Sequence, residues 1–312
     1  MFFEKYGIII YIGKEVVKMD IFDFSNQLAA QDSVKKHLQH VARNEIRISY
    51  SAFNANAPDT CSKFGGRPAV PNDFVWPQYA GKRFRNEERV MRPLSFLAQI
   101  NLADVAEYDT ENLLPKTGML SFFYEMVSME WGMLADDRDF VKVYYFPDVD
   151  LLSLGDIPEE MEEEGFIPEL EMHFERKISL PYPDNFYDED FDWSEYENCC
   201  NELGYEFDDL GGRTKLLGYP DVIQAPMEEE CETVSRGYTY WNPKDSEKAS
   251  EEEKLDIKRK AKEWIMLFQM GTIETDEKEI MFGDCGHIYF WIRKEDLKKR
   301  NFDRIGFVLQ CG

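Results

Sequence analysis

Positive charge is scarce in this 312-residue chain: 36 Lys and Arg face 61 Asp and Glu, a formal net charge of −25. Such a surface repels polyanions, so neither nucleic acid nor an anionic membrane is expected as a partner. Cysteine is sparse as well. Six residues (Cys61, Cys199, Cys200, Cys231, Cys285 and Cys311), none in C-x-x-C spacing, exclude a disulfide scaffold, a zinc ribbon and a thioredoxin-type pair. Reduced thiols in the cytoplasm are the expectation. Long apolar runs are missing too. The one at Ile8–Ile12 is flanked by Gly7 and Gly13 and is far short of the roughly 20 residues a spanning helix needs. A basic start and a small-residue cleavage site are also lacking, so no secretory leader is expected.

Catalytic signatures are equally thin. G-x-S-x-G and G-x-G-x-x-G do not occur, and the four histidines (His37, His40, His173, His287) show no H-E-x-x-H spacing. Gly7 to Gly13-Lys14 is one residue too long for a phosphate loop and has Glu15 where Ser or Thr must bind magnesium. Asp188-x-Asp190-x-Asp192 suggests a calcium loop, but Trp193 stands at its sixth position and Cys199 at its twelfth. No cofactor and no metal site is expected, and no catalytic residue can be named.

What is abundant is core-forming material: 43% apolar and 14% aromatic residues. Leu28, Val34, Leu38 and Val41 recur at helical spacing and predict an amphipathic helix over Ser25–Asn44. From Glu45 to Tyr50 the sequence alternates polar and apolar, the pattern of a half-buried strand. Further strand-like runs are Leu94–Ile100, Gly118–Met126, Phe140–Phe146, Met172–Leu180, Trp264–Met270, His287–Ile292 and Ile305–Gln310. A second helix is predicted across Ser246–Trp264, where acids precede bases. The chain therefore reads as α+β and β-dominated, not as a doubly wound strand–helix alternation.

Self-similarity is the sharpest signal. Phe64-Gly65-Gly66-Arg67 recurs as Leu210-Gly211-Gly212-Arg213, Leu97-Ala98-Gln99-Ile100 as Leu267-Phe268-Gln269-Met270, and the run from Thr117 to Tyr124 as that from Cys285 to Ile292, in the same order. The expectation is an internal duplication: two related β-rich halves forming one pseudo-symmetric domain with peripheral helices. Residues 1–20 read as an N-terminal extension, with a short strand as the alternative. Residues 21–312 read as a single domain: a first half over about 45–150, an acidic insertion over about 156–209 and a second half over about 210–312.

Several of these motifs resemble a known family. Phe64-Gly65-Gly66-Arg67-Pro68 followed by Trp76-Pro77, then Pro93 to Ile100 and Leu114 to Phe123, is similar to the first half of the YwqG-like family. Gly218-Tyr219-Pro220, Leu267-Phe268-Gln269, the run from Met281 to Ile292 and the terminal Phe302–Gln310 resemble its second half. Phe282 stands where Trp is usual, and Tyr219 where a second Gly is common. The resemblance implies a bacterial β-rich domain of unassigned role, carries over no catalytic residue, and by gene neighbourhood implies an immunity-like binding role.

Three groups of residues are candidates for function. The stretch Asp156–Asp209 holds 20 acids against two bases, with aromatics interleaved. Asp188, Asp190, Asp192, Trp193 and Tyr196 would present a docking face for a basic protein partner, or form part of a merely solvated insertion. Arg67 and Arg213 each follow a Gly-Gly pair, where free amides and a guanidinium could hold an anion, or where the Arg simply satisfies turn carbonyls. Asp284 and His287 sit on a sharp turn, as an acid–base pair or as a turn whose Asp caps its own amides. The leading expectation is an interaction module for a basic protein. The alternative is a small-molecule binder or enzyme with its pocket between the halves, near Arg67, Arg213 and Asp284.

Overall fold

The computed structural model describes residues 7–12, 15–20, 30, 32–83, 87–134, 138–181, 193–202, 213–240 and 248–312. Ten strands form one antiparallel sheet: β1 (Arg43–Ala52), β2 (Lys63–Phe64), β3 (Ser95–Asn101), β4 (Met119–Tyr124), β5 (Val141–Phe146), β6 (Leu170–Ser179), β7 (Thr214–Leu217), β8 (Trp264–Met270), β9 (His287–Arg293) and β10 (Gly306–Gln310). Their spatial order is β5-β4-β3-β2-β6-β1-β7-β8-β9-β10. Six helices accompany the sheet among the described residues: α1 (Asp32–Val41), α2 (Leu102–Val105), α3 (Trp193–Glu202), α4 (Glu228–Ser235), α5 (Glu251–Ala261) and α6 (Lys294–Lys298). None is long and apolar enough to cross a membrane.

The sheet divides at its middle into two arrays of five, with β6 ending one and β1 the other. Each takes this end strand, at the middle of the sheet, from the far side in sequence: β1 pairs with β7, and β6 pairs with β2. Matching stations recur across the arrays. Lys63 lies opposite Gln99, and Lys215 opposite Gln269. The registers of β3 with β4 and of β8 with β9 each shift once, beside Leu97 and beside Leu267. After β2 comes the positive-φ pair Gly65-Gly66, and at the end of β7 the positive-φ pair Leu217-Gly218. Gly211 and Gly212, the expected counterparts of Gly65 and Gly66, lie outside the described residues.

The sheet curls almost closed. Phe122 of β4 packs against Phe268 of β8, centroids 4.5 Å apart, and Tyr124 of β4 stacks on Phe307 of β10 at 4.8 Å. Both faces are covered, which is why β4 and β8 are buried along their whole length instead of alternating. Inside lie Ile46, Leu120, Phe122, Phe268, Phe290 and Leu309, among others, as one contiguous core. Outside, α4 packs on the face carrying Trp264, Tyr289 and Trp291.

Three expectations need correction. Residues 170–179 fall in the range read as an insertion, yet they form β6, at the centre of the sheet. The strand itself agrees with the strand-like run Met172–Leu180; what the acidic composition around it hid is its place inside the sheet, its charged side chains filling mostly partly exposed positions. Helix α1 ends at Val41, because the chain enters β1 at Arg43; residues 25–29 lie outside the described residues. Residues Gly7–Ile12 form a strand paired antiparallel with Glu15–Asp20, the alternative to a plain extension.

Candidate functional site

The structure brings together two of the four predicted ligand residues. Lys215, on β7, is fully buried and places its Nζ 3.1 Å from Glu45 Oε2 and 3.0 Å from Asp221 Oδ1. Arg213 Nη1 lies 3.4 Å from the same Asp221 oxygen, and Gln269 Nε2 donates to Asp221 Oδ2 at 2.7 Å. Burial pushes the Asp221 carboxyl up, but the Lys215 and Arg213 cations and the hydrogen bonds from Gln269 and Lys215 outweigh it, holding it at about 2. His287 is fully buried, and burial lowers its imidazole to about 4 despite the opposing field of Asp221. It is therefore neutral near pH 7. With Glu45, Lys215, Gln269 and His287 all closed to solvent, this is an internal ionic lock rather than a place where substrate arrives.

The other candidates lie elsewhere. Arg67 donates from Nε to the Gly155 carbonyl at 3.0 Å and from Nη2 to Asp156 at 2.7 Å, so it clamps a neighbouring loop. Asp284 is exposed on its turn while His287 points inward, and the two do not form an acid–base pair. Tyr196 is fully buried against Val34, Leu38 and Cys200, with its hydroxyl donating to the Pro181 carbonyl at 2.9 Å. Its expected place on a docking face is corrected: the ring is core. Trp193 is half-buried beside it, with ring centroids 5.6 Å apart. Asp188, Asp190 and Asp192 lie outside the described residues.

A cavity of about 340 Å³ opens at a different seam, between β5 and β10, the two outermost strands of the sheet. Phe140, Val141, Val143 and Phe307 contribute to its apolar walls, and Cys231 and Val234 of α4 close it from outside. At one end the chain near Trp131 bridges the gap: the Leu309 amide donates to the Trp131 carbonyl at 3.1 Å, and Gly132 packs so close to the Phe307 carbonyl that a Cβ has no room.

Helix α4 sets the polar group of this cavity. Its Glu232 is anchored to the sheet, accepting from Trp264 Nε1 at 2.9 Å and from Arg293 Nη2 at 2.6 Å. Two residues earlier, roughly 200° around a helix, Glu230 lies on the cavity wall. It is 3% exposed, and its Oε1 has no hydrogen-bond partner among the described residues. Burial pushes its carboxyl up to about 7. Arg138 also borders the cavity, and its Nη2 donates to the Val234 carbonyl. Burial raises the Cys231 thiol well above its ordinary value, so this wall thiol is not a ready nucleophile. Sequence reasoning missed Glu230 because the run Glu228-Glu229-Glu230 reads as solvated charge; the only hint was Cys231 and Val234 at helical spacing.

Fold and site together define a β-dominated domain with a walled cavity at the closure of its sheet. Residues 62–311 match the family described as a domain of unknown function, DUF1963, and the chain belongs to that family. No curated protein matches the chain.

Proposed function

We propose that this YwqG-like chain is a ligand-binding module, built from two copies of one β unit, that receives a small molecule or a partner's side chain in the β5–β10 cavity. The observation that carries the reading is Glu230: a buried carboxylate oxygen without a partner among the described residues, on the wall of a cavity bounded by the outer strands of both arrays. A buried polar atom left unpaired is costly unless something supplies its hydrogen bond. The six unpaired cysteines support a reducing, cytoplasmic setting.

Titration of the full chain with small neutral aromatics, followed by heteronuclear NMR, tests the reading. Ile305, on the cavity wall and only partly buried, provides the control. Saturable shifts at cavity residues are expected for the wild-type chain and not for a folded Ile305→Trp variant. Shifts that are missing, or that persist unchanged in the variant, would overturn it.

The basic-partner reading keeps one specific support, displaced along the chain. Asp156, Glu159, Glu160, Glu163 and Glu164 are exposed, and Phe166 among them is 42% exposed. An acidic face with an aromatic at its edge suits a basic protein in an immunity-like role. Association that weakens steeply with salt, and is lost on changing Glu159, Glu160, Glu163 and Glu164 to Gln, is the expected result. Salt-independent binding would sink it.

A further inference from the structure

We infer that the β5–β10 cavity selects an organic cation, an ammonium or guanidinium on an apolar body, with Glu230 as its counter-ion; this rests on the binding role proposed above. The inventory of charges at the cavity decides the sign of the ligand. Of the two bases among its described lining residues, Lys142 is held by Asp139 at 2.6 Å, and Arg138 is engaged at the Val234 carbonyl. Of the two acids among the described lining residues, Asp303 is exposed, whereas Glu230 is buried with Oε1 unpartnered among the described residues. The unmet demand is therefore for a donor, placed among phenylalanine and valine side chains. A ligand with a cationic head and an aliphatic or aromatic body meets both features at once.

Two further facts agree with this. Burial pushes the Glu230 carboxyl up to about 7, and an ammonium beside it would stabilise the carboxylate form. A net charge of −25 would also enrich cations around the molecule and speed their encounter with it.

The test compares three probes with one phenyl-ethyl skeleton on the full chain: phenethylamine, phenethyl alcohol and hydrocinnamate. The amine is expected to bind about tenfold tighter than the alcohol, and the carboxylate weakest. Glu230→Gln should bring amine and alcohol to about equal affinity while preserving the circular dichroism spectrum, since it removes a buried ionisable group rather than a packed one. Equal binding of amine and alcohol to the wild-type chain, or an amine preference surviving in Glu230→Gln, would overturn the cation assignment and leave the binding role standing. Tightest binding of hydrocinnamate would overturn it in favour of Arg138 as the anchor. Binding of none of the three would remove the binding role itself. The comparison on the wild-type chain does not depend on any variant folding.

Discussion

Gln99 and Gln269 hold equivalent stations in the two arrays. The Oε1 of Gln99 accepts the Ala69 amide at 2.8 Å, and that of Gln269 accepts the Asp221 amide at 2.9 Å. Each stands opposite a buried lysine, Lys63 or Lys215, and each Nε2 donates to the chain just before the strand that carries that lysine: to the Asp59 and Cys61 carbonyls from Gln99, to the Arg213 carbonyl from Gln269. The lysines are answered alike, by Glu169 at 2.5 Å and by Glu45 at 3.1 Å. One fully buried amide side chain thus ties a loop to each array.

Replacing either glutamine by leucine keeps the volume close and removes every one of these bonds. A stranded buried amide or carbonyl costs roughly 1–3 kcal/mol, and Gln99→Leu strands one amide and two carbonyls, so a loss of about 3 kcal/mol or more is expected. Gln269→Leu should lose more, because Asp221 Oδ2 forfeits a donor inside the ionic lock. Urea unfolding of both variants measures this. Losses well under 1 kcal/mol would show that the loops are held by something else.

His287 and Glu230 oppose each other in their pH dependence. Burial lowers the His287 imidazole from 6.5 to about 4, so between those values the unfolded chain binds a proton that the folded chain refuses, and stability falls as pH drops. Burial raises the Glu230 carboxyl from 4.5 to about 7, so over that range the folded chain keeps a proton the unfolded chain releases, and stability falls as pH rises. From about pH 4.5 to 6.5 the two contributions should nearly cancel. Relative to wild type, His287→Gln should tilt stability downward with rising pH by up to about 3 kcal/mol across that window, and Glu230→Gln should tilt it upward by a similar amount. Urea midpoints at the two ends of the window decide it; parallel profiles for all three proteins would refute the assignment.

The strands most visible beforehand were those buried on both faces. Met119–Tyr124, Trp264–Met270 and His287–Ile292 stand out as apolar runs because no side of them meets water. Residues Thr214–Leu217 were invisible for the opposite reason: four residues with a lysine among them carry no periodic signal, and only the fold reveals that Lys215 is buried between Glu45 and Asp221. Glu45 read as the outward residue of an alternating strand, yet it is fully buried. Charges that meet across strands distant in sequence look, in one dimension, like solvated charges. The association of Arg213 with His287 and the seam holding Glu230 were hidden in the same way, since long-range pairing of strands, not local pattern, creates both.

Thiol reactivity should follow burial. Cys285 is exposed, Cys61 is half-buried with its thiol raised by burial, and Cys199, Cys200, Cys231 and Cys311 are buried. One fast-reacting thiol is expected in the native protein, Cys285, followed slowly by Cys61. The other four should react only on unfolding. A timed titration with an aromatic disulfide, with peptide mapping of the labelled sites, reads this directly. Rapid labelling of Cys231 would mean that the cavity opens far more widely than its walls suggest.

The turn before β9 offers a last, purely steric prediction. Gly283 has φ +65° and Cys285 φ +49°, so the chain reverses through left-handed backbone within three residues. Gly286 closes the turn: its amide donates to the Phe282 carbonyl at 3.0 Å, and a Cβ built on it falls well inside van der Waals contact of the Phe282 and Gln310 carbonyl oxygens. Both obstacles are backbone atoms, one in the turn at Phe282 and one at the end of β10, and they cannot rotate aside as a side chain would. Gly286→Ala is therefore expected to cost about 2–4 kcal/mol, through displacement of β9 from the end of β10. The damage should be local in origin: amide exchange should quicken first at His287 and Gln310, which face each other in the register of these two strands. Cys285→Gly, one residue earlier, should move stability the other way, by up to about 1 kcal/mol, because glycine adopts that left-handed φ without the cost a Cβ imposes. Opposite signs at adjacent positions would establish that the turn is limited by space at Gly286 and by backbone conformation at Cys285; equal signs would contradict the geometry of the turn.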